Sequence, residues 1–428
     1  MPSFAHLADC HIGAWRDLRL KELNIQSFEK AMDQILSHGV NFVIISGDLF
    51  HVNLPDLDSV RRVVEKLRLF KDQGIPIYTV YGSHDYSPNA TAMIDVLCAG
   101  GLLTRVIKPE QTEEKIKLGF VEDPSTGVKL CGFSGRSYSL EREYYQLLDR
   151  ESLENEDGCK IFVLHTAVEE VKPASAAYGQ GIAASLLPKG FLYYAGGHVH
   201  EHIDEKVPRI GRIVYPGALF GSTFADLEQT AKGTKRGYLI VDFSDEDTRV
   251  DFIENTLIET LYFEIDGESR TSIEVNEELL RLCEDIAAEG KIILLKLTGV
   301  LSAGKVSDIE FSKVRNILRT KNAEFVFINR RALTTRETTK ITVEGEAPED
   351  IEENVFKESL SDFRIPKVLD DDLRNWGEKT LKGKQGLELS LKLLHVMKSE
   401  KQEGETNRDF ETRIVHDGKD VLPGRKAK

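Results

Sequence analysis

The chain has 428 residues, 41% of them hydrophobic and 30% charged, with a net charge of −15. One hydrophobic core stops growing at about 250–300 residues, so this length predicts a large domain with additions, and the acidic balance excludes a protein that coats nucleic acid by bulk electrostatics while leaving local basic patches open. No apolar run approaches the roughly 20 residues of a membrane span, and Met1 leads straight into a candidate strand without the regions of a signal peptide, so a cytoplasmic protein is expected.

Phe4–Ala8 reads as a short strand. Residues 22–38 set Ile25, Phe28, Met32 and Ile35 on one helical face, with Gly39 as the C-cap. Phe42–Ser46 is a second strand. Residues 56–73 form a second helix through Leu57, Val60, Val63, Leu67 and Phe70, and Gly74 stops it before a third strand at Ile75–Tyr81. This βαβαβ rhythm is that of a layered α/β domain. Strands at Lys129–Phe133, Lys160–Leu164, Phe191–Ala195, Arg212–Tyr215 and Tyr238–Phe243 follow, separated mostly by loops. Two packed sheets flanked by helices would hold both halves, and the domain is placed at residues 1–250. Residues 258–340 repeat a strand-helix-strand-helix-strand pattern (Leu261–Ile265, 275–288, Lys291–Thr298, 308–320, Glu324–Asn329), which predicts a compact α/β appendage without a metal-type cluster. Residues 341–428 open with an acidic linker around Glu344 to Asp350 and continue into helical segments at 352–363 and about 380–398. The second carries Leu387, Leu391, Leu394 and Met397 at helical spacing, a stripe that is buried on a partner or on the chain itself. From Lys401 onward the polar composition predicts disorder.

Five of the eight strands in the first domain are followed by metal-type side chains: Asp9 and His11, Asp48, then Ser83, His84 and Asp85, then His165, then His198 and His200. Sites in open α/β sheets lie beyond the carboxyl ends of strands, and Gly47, Gly82 and Gly197 would let backbone approach an ion. Phosphate ester hydrolysis needs a hydroxide at neutral pH and positive charge over the displaced oxygens, and two cations about 3.5–4 Å apart supply both. Asp48 is expected to bridge them. Asp9, His11 and His200 would complete one ion, and His165 and His198 with Ser83 the other. His84 would face the phosphate, stabilising charge or protonating the leaving oxygen, with Asp85 orienting its imidazole. Oxygen and nitrogen donors without thiolate favour manganese, iron or zinc over magnesium or calcium.

Taken singly these residues have plain readings, Gly47-Asp48 as a turn and His165 as an ordinary histidine; the ordered set carries the signal. His6, His38, His51, His202, His395 and His416 have no place in it and read as surface or structural residues. Five scattered cysteines (Cys10, Cys98, Cys131, Cys159, Cys283) support neither a disulfide framework nor a thiolate zinc site. Strand alternation turns Cys10 away from Asp9 and His11.

At these positions the chain resembles the calcineurin-like metallophosphoesterases, whose signature runs Asp-x-His, Gly-Asp, Gly-Asn-His-Asp/Glu, His and Gly-His-x-His. Ala5 to Gly13, Ser46-Gly-Asp-Leu-Phe-His51 and Gly197-His-Val-His200 resemble the SbcD/Mre-eleven type, nucleases of double-strand-break repair. That resemblance implies a β-sandwich flanked by helices, a smaller capping domain at 258–340 that contacts DNA, and a tail at 341–428 that binds a coiled-coil ATPase of the SbcC/Rad-fifty type. It implies two Mn2+ per subunit, a 3′→5′ exonuclease on duplex DNA and an endonuclease on single strands, working as a homodimer through the helices around 56–73 and 90–99, where Met93, Ile94 and Leu97 suit a contact. Trp15, Arg16, Arg19 and Lys21 resemble a DNA-contacting loop, basic and aromatic groups suiting phosphate contact and stacking, with a merely solvated loop as the competing reading. The family's asparagine is replaced here by Ser83, whose shorter hydroxyl would hold the second ion less tightly. Two other functions therefore stay open: a DNA-tethering scaffold with weak catalysis, and a small-substrate phosphodiesterase.

Overall fold

The computed structural model describes residues 1–335 except 88–90, 108, 112–114, 136–140, 175–179 and 246, and beyond them residues 353, 356–357, 380, 384–399, 401–402, 405 and 407–421. The chain divides into two compact units, Met1–Thr335 and Arg336–Lys428.

The first unit is built on two six-stranded sheets. One runs β1 (Ser3–Leu7), β2 (Phe42–Ile45), β3 (Ile77–Thr79) and β4 (Thr104–Arg105) in parallel, with β13 (Gly237–Phe243) antiparallel beside β1 and β14 (Thr248–Glu254) antiparallel beside β13 at the edge. The other runs β8 (Lys129–Phe133), β9 (Lys160–His165), β10 (Tyr193–Gly197) and β12 (Gly211–Tyr215) in parallel, edged by β7 (Val121–Glu122) and β11 (Ile203–Val207); β5 (Pro109–Gln111) and β6 (Ile116–Leu118) form a separate hairpin.

Strand alternation sorts the apolar residues into layers. Phe42 and Ile44 of β2 face Ile161 and Val163 of β9 between the sheets, while Val43 and Ile45 face helices. Those helices are α1 (Leu18–His38), α2 (Leu57–Asp72) and α3 (Met93–Ala99). Phe162 and Leu164 point the other way, toward Tyr145 of α4 (Glu141–Leu147) and Leu153 of α5 (Arg150–Glu154). Helix α1 begins four residues before its expected start because Asp17 caps it, accepting from the amides of Arg19 and Leu20, and it ends as predicted at Gly39, φ 67°. The expected DNA-contacting loop is thus split, with Arg19 and Lys21 in the first turn of a helix.

After α6 (Phe224–Ala231), the expected strand-helix-strand-helix-strand order is observed as β15 (Thr260–Asp266), α7 (Ser272–Asp285), β16 (Ile292–Leu301), α8 (Phe311–Thr320) and β17 (Phe325–Thr335), a three-stranded parallel sheet in which α7 starts three residues earlier and β17 runs six residues further than expected. Strand β16 is buried on both faces. Ile293, Leu295 and Leu297 pack on Val275, Leu279, Val314 and Leu318 of its own helices. Ile292 and Leu294 pack instead on Leu20, Leu23, Phe220 and Leu227 of the two-sheet domain. This second face is why the cap belongs to the same compact unit.

The second unit contains α9 (Lys384–Met397) and α10 (Asn407–Val421). Helix α10 corrects the expectation of disorder beyond Lys401. Phe410, Arg413, Ile414, Asp417, Gly418 and Val421 are its half-buried positions, a stripe at helical spacing that the polar composition concealed. The linker after 341 lies outside the described residues, as does most of the helix expected at 352–363. Among the described residues no helix is long and apolar enough to cross a membrane.

Candidate metal centre

The candidate ligand residues leave the strands in tight turns, and the backbone there is forced. Asp9 (φ 49°), His11 (φ 44°), Asp48 (φ 51°) and His198 (φ 85°) occupy the left-handed region that side chains avoid. Each such residue costs on the order of 1–3 kcal/mol, and it persists because its surroundings over-determine it. The Asp9 amide donates to the Gly47 carbonyl and the His11 amide to that of Asp48, locking two turns together. Gly82 has no substitute: a Cβ there would lie 1.9 Å from Asp48 Oδ1.

Two triads result, Asp9 with His11 and His200, and Asp9 with Asp48 and His165. Nε2 of His11 and Nε2 of His200 are 3.1 Å apart. Asp9 Oδ1 stands 3.9 Å from each of these nitrogens and 4.0 Å from His165 Nε2. Asp48 Oδ2 lies 3.7 Å from His11 Nε2 and 3.2 Å from His165 Nε2, between the triads. Both carboxylates are thus placed to span two ions. Ring nitrogens and carboxylate oxygens facing one another across a buried space, with His165 Nε2 lacking a hydrogen-bond partner among the described residues, are what a cation site requires. The donor set fits divalent metals.

The electrostatics agree. Burial holds the His11 imidazole neutral, far below its usual range, and pushes His198 down to about 4, so both are in the form that ligates. Burial opposes charge on His165, but Asp48 and Asp9 prevail and raise it to about 10. Burial pushes the Asp9 carboxyl up to about 6, whereas for Asp48 the His165 and His11 imidazoles overcome burial and hold it well below the usual carboxylate range.

The remaining expected residues are placed as follows. Ser83 Oγ donates to Asp48 Oδ2 at 3.3 Å, so the hydroxyl is directed at a carboxylate. His198 lies beside His165, ring centroids 5.5 Å apart, and its amide donates to both oxygens of Asp9. His84 is exposed; its amide donates to Asp48 Oδ1 and its Nδ1 donates to the His51 carbonyl. The expected orientation of His84 by Asp85 is corrected here. Asp85 is buried and accepts from the amides of Leu49, Phe50 and Gly82, bracing the turn under Asp48 instead.

Sequence reasoning passed over two residues. His51 is not peripheral: its ring stacks on His84 at 4.5 Å and, with His11, completes a third cluster of imidazoles. Its place directly after Asp48-Leu-Phe was the available signal. Asp226, 26 residues beyond His200 and on α6, accepts from His200 Nδ1 at 2.8 Å, and nothing local in the sequence points to it. His6, by contrast, is structural as expected: buried between Tyr193 and Ser46, it is pushed down to about 3 by desolvation.

The basic loop is largely engaged with the chain itself. Trp15 Nε1 donates to the Gly221 carbonyl, Arg19 pairs with Glu324 of the cap, and Lys21 pairs with Asp56 at 2.8 Å. Arg16 is exposed. Of the residues expected at a dimer contact, Ile94 and Leu97 are committed to the chain's own core, while Val96 on the same helix is 54% exposed.

Residues 2–202 match the calcineurin-like phosphoesterase family. The chain is 27% identical over 347 residues to the DNA double-strand break repair protein Mre11 of Archaeoglobus fulgidus, covering 73% of this chain and 72% of that protein. It is 27% identical over 248 residues to the protein of the same name from Methanopyrus kandleri, covering 56% and 53%. The chain thus spans from about half to about three quarters of the length of these curated relatives. A dimetal phosphatase from Danio rerio covers 60% of this chain and 96% of its own, at 11% identity with a TM-score of 0.38, too slight a likeness to place any residue.

Proposed function

The chain carries a calcineurin-like phosphoesterase domain over residues 2–202, and from that premise we propose that it is a manganese-dependent DNA nuclease of double-strand-break repair. The observation that carries the reading is the pair of triads sharing Asp9, with Asp48 between His11 and His165. The DNA substrate is supported by the repair proteins that it resembles well beyond the phosphoesterase domain.

Asp9, His11 and His200 would hold one ion, and Asp48 and His165 with His198 the other, Asp9 adjoining both; Ser83 would reach the second through water. When bound, the ions lower the pKa of the attacking water and neutralise charge gathering on the phosphoryl group. His84 stands at the open side of the site with Nδ1 fixed by the His51 carbonyl, so its Nε2 is the atom that would protonate or stabilise the leaving oxygen. Of the basic loop, Arg16 is the residue left to meet a phosphate. The chain would act as a homodimer through exposed Leu57 and Val96 of α2 and α3, and bind a coiled-coil ATPase of the SbcC/Rad-fifty type through α9.

Linear duplex and single-stranded DNA incubated with Mn2+ test this. Degradation that disappears in His84→Ala is expected; undiminished cleavage by that variant removes His84 from the mechanism. The Ser83 hydroxyl directed at Asp48 favours one second reading, a tethering scaffold with weak catalysis. A large gain in cleavage on Ser83→Asn would establish it.

A further inference from the structure

We propose that Asp226 is the positioning residue for His200, and that α6 makes metal affinity at the Asp9–His11–His200 triad depend on how the cap sheet is seated. The proposal rests on the reading of that triad as a metal site.

Asp226 is 5% exposed and uses its two oxygens differently. Oδ1 accepts from His200 Nδ1 at 2.8 Å. Oδ2 accepts from the amides of Ser222 and Thr223 at 2.8 and 2.9 Å and from both hydroxyls, at 3.2 and 3.0 Å. The carboxylate is thereby fixed to the start of α6, and it obliges His200 to carry its proton on Nδ1. The lone pair is left on Nε2, the atom 3.1 Å from His11 Nε2. Arg236, itself buried, fastens the backbone of the same pair by donating to the carbonyls of His200 and Asp226. His200 is therefore held by α6 at its ring and tied to it at its backbone.

The other face of α6 is the seat of the cap. Phe224 packs on Phe327 of β17, ring centroids 4.8 Å apart. Leu227 joins Ile292 and Leu294 of β16 in one apolar cluster. Glu228 meets Lys296 at 3.5 Å, and Lys232 lies 4.5 Å from the ring of Tyr262 on β15. An eight-residue helix thus has a ligand's hydrogen-bond partner on one side and three strands of the cap on the other. Packed interiors transmit displacement because they have little free volume. A cap that shifts on its seat carries α6 with it, and so moves Asp226 and the His200 tied to it relative to Asp9 and His11.

Calorimetric and paramagnetic-resonance titration of the full chain with Mn2+ tests both halves. Asn at 226 would keep an oxygen for the Ser222 and Thr223 amides but turn its NH2 toward His200 Nδ1, moving the histidine's proton to Nε2 and blocking ligation. Asp226→Asn is expected to weaken one of the Mn2+ sites by about 10–100-fold. Asp226→Ala, structurally the harsher change, is expected to bind Mn2+ better than Asp226→Asn, because it dictates no tautomer; a merely structural role predicts the reverse order. Phe327→Ala, on the cap and outside the triad, is expected to weaken the same site by a smaller factor. Wild-type affinity in a folded Asp226→Asn protein overturns the positioning role. Unchanged affinity in Phe327→Ala overturns the coupling, and that variant decides alone if Asp226→Asn fails to fold. A wild-type chain that takes up no Mn2+ refutes the metal reading itself, which separates that failure from failure of this proposal.

Discussion

The metal centre and the cap sheet solve opposite problems with the same parallel-strand geometry. In the cap, the first half of β16 is apolar, and successive residues find hydrophobic partners on one face and then the other. At the centre the strands end abruptly, and four residues are bent into positive φ to converge their side chains. Three ring nitrogens there, His11 Nδ1, His51 Nδ1 and His165 Nε2, have no hydrogen-bond partner among the described residues. The cap gains stability from each residue, whereas the centre gives up stability so that cations can supply what its side chains leave unsatisfied. Strain and unmet polarity together distinguish a site from a core.

The largest effect that would break this contrast is expected at Asp48. Asn tolerates the same φ, so Asp48→Asn should fold, yet Mn2+-supported hydrolysis should fall by about 10²–10³ or more, since one charge adjoining both triads is removed. Activity within about tenfold of wild type would show that Asp48 is not the shared ligand. The cap should respond in the other currency: Leu295→Ala is expected to cost about 2–5 kcal/mol in denaturant unfolding while hydrolysis per folded molecule stays near normal. Its neighbour Leu294, pointing at Phe220 and Leu227, should cost as much when truncated and also weaken Mn2+ uptake.

This difference between the regions also explains what could be read from the chain. Apolar periodicity gave the order of elements in the cap, because burial on regular elements is a local rule, although β16 and β17 run three and six residues beyond their expected ends. The candidate ligands Asp9, His11, Asp48, His165, His198 and His200 could be picked out for a different reason: they follow strands, where such sites lie. Partners supplied by remote elements were not legible. Asp226 reaches His200 through a turn of α6, and Asp85 turns to three amides rather than to its neighbour His84. Helix α10 was missed because half of its inward stripe is Arg413, Asp417 and Gly418, which hydrophobicity does not register.

Proton release sharpens the electrostatic side of the contrast. In the metal-free chain the raised His165 contributes stability that is full below its ordinary value of 6.5 and is lost as pH rises through about 10. At pH 7 that imidazole is protonated, so an ion held by Nε2 must expel the proton. Calorimetry of Mn2+ binding in buffers of differing ionisation enthalpy should report about one proton released at that site, with affinity falling as pH drops. Binding without proton release would mean that His165 is not a ligand.

The smallest expected effect lies where the two regions meet, at the basic loop. Arg19 is tied to Glu324 and Lys21 to Asp56, while Arg16 is exposed. If DNA lies across this edge, Arg16→Ala should weaken binding evenly across sequences and lower the slope of log affinity against log salt by about 1. Lys21→Ala should instead leave DNA affinity in place and cost at most about 1 kcal/mol of stability, the worth of a partly exposed ion pair. The reverse result, with Lys21 rather than Arg16 setting the salt slope, would mean that the Lys21–Asp56 pair opens on DNA, and that the loop seen packed on its own chain is a closed form of the binding surface.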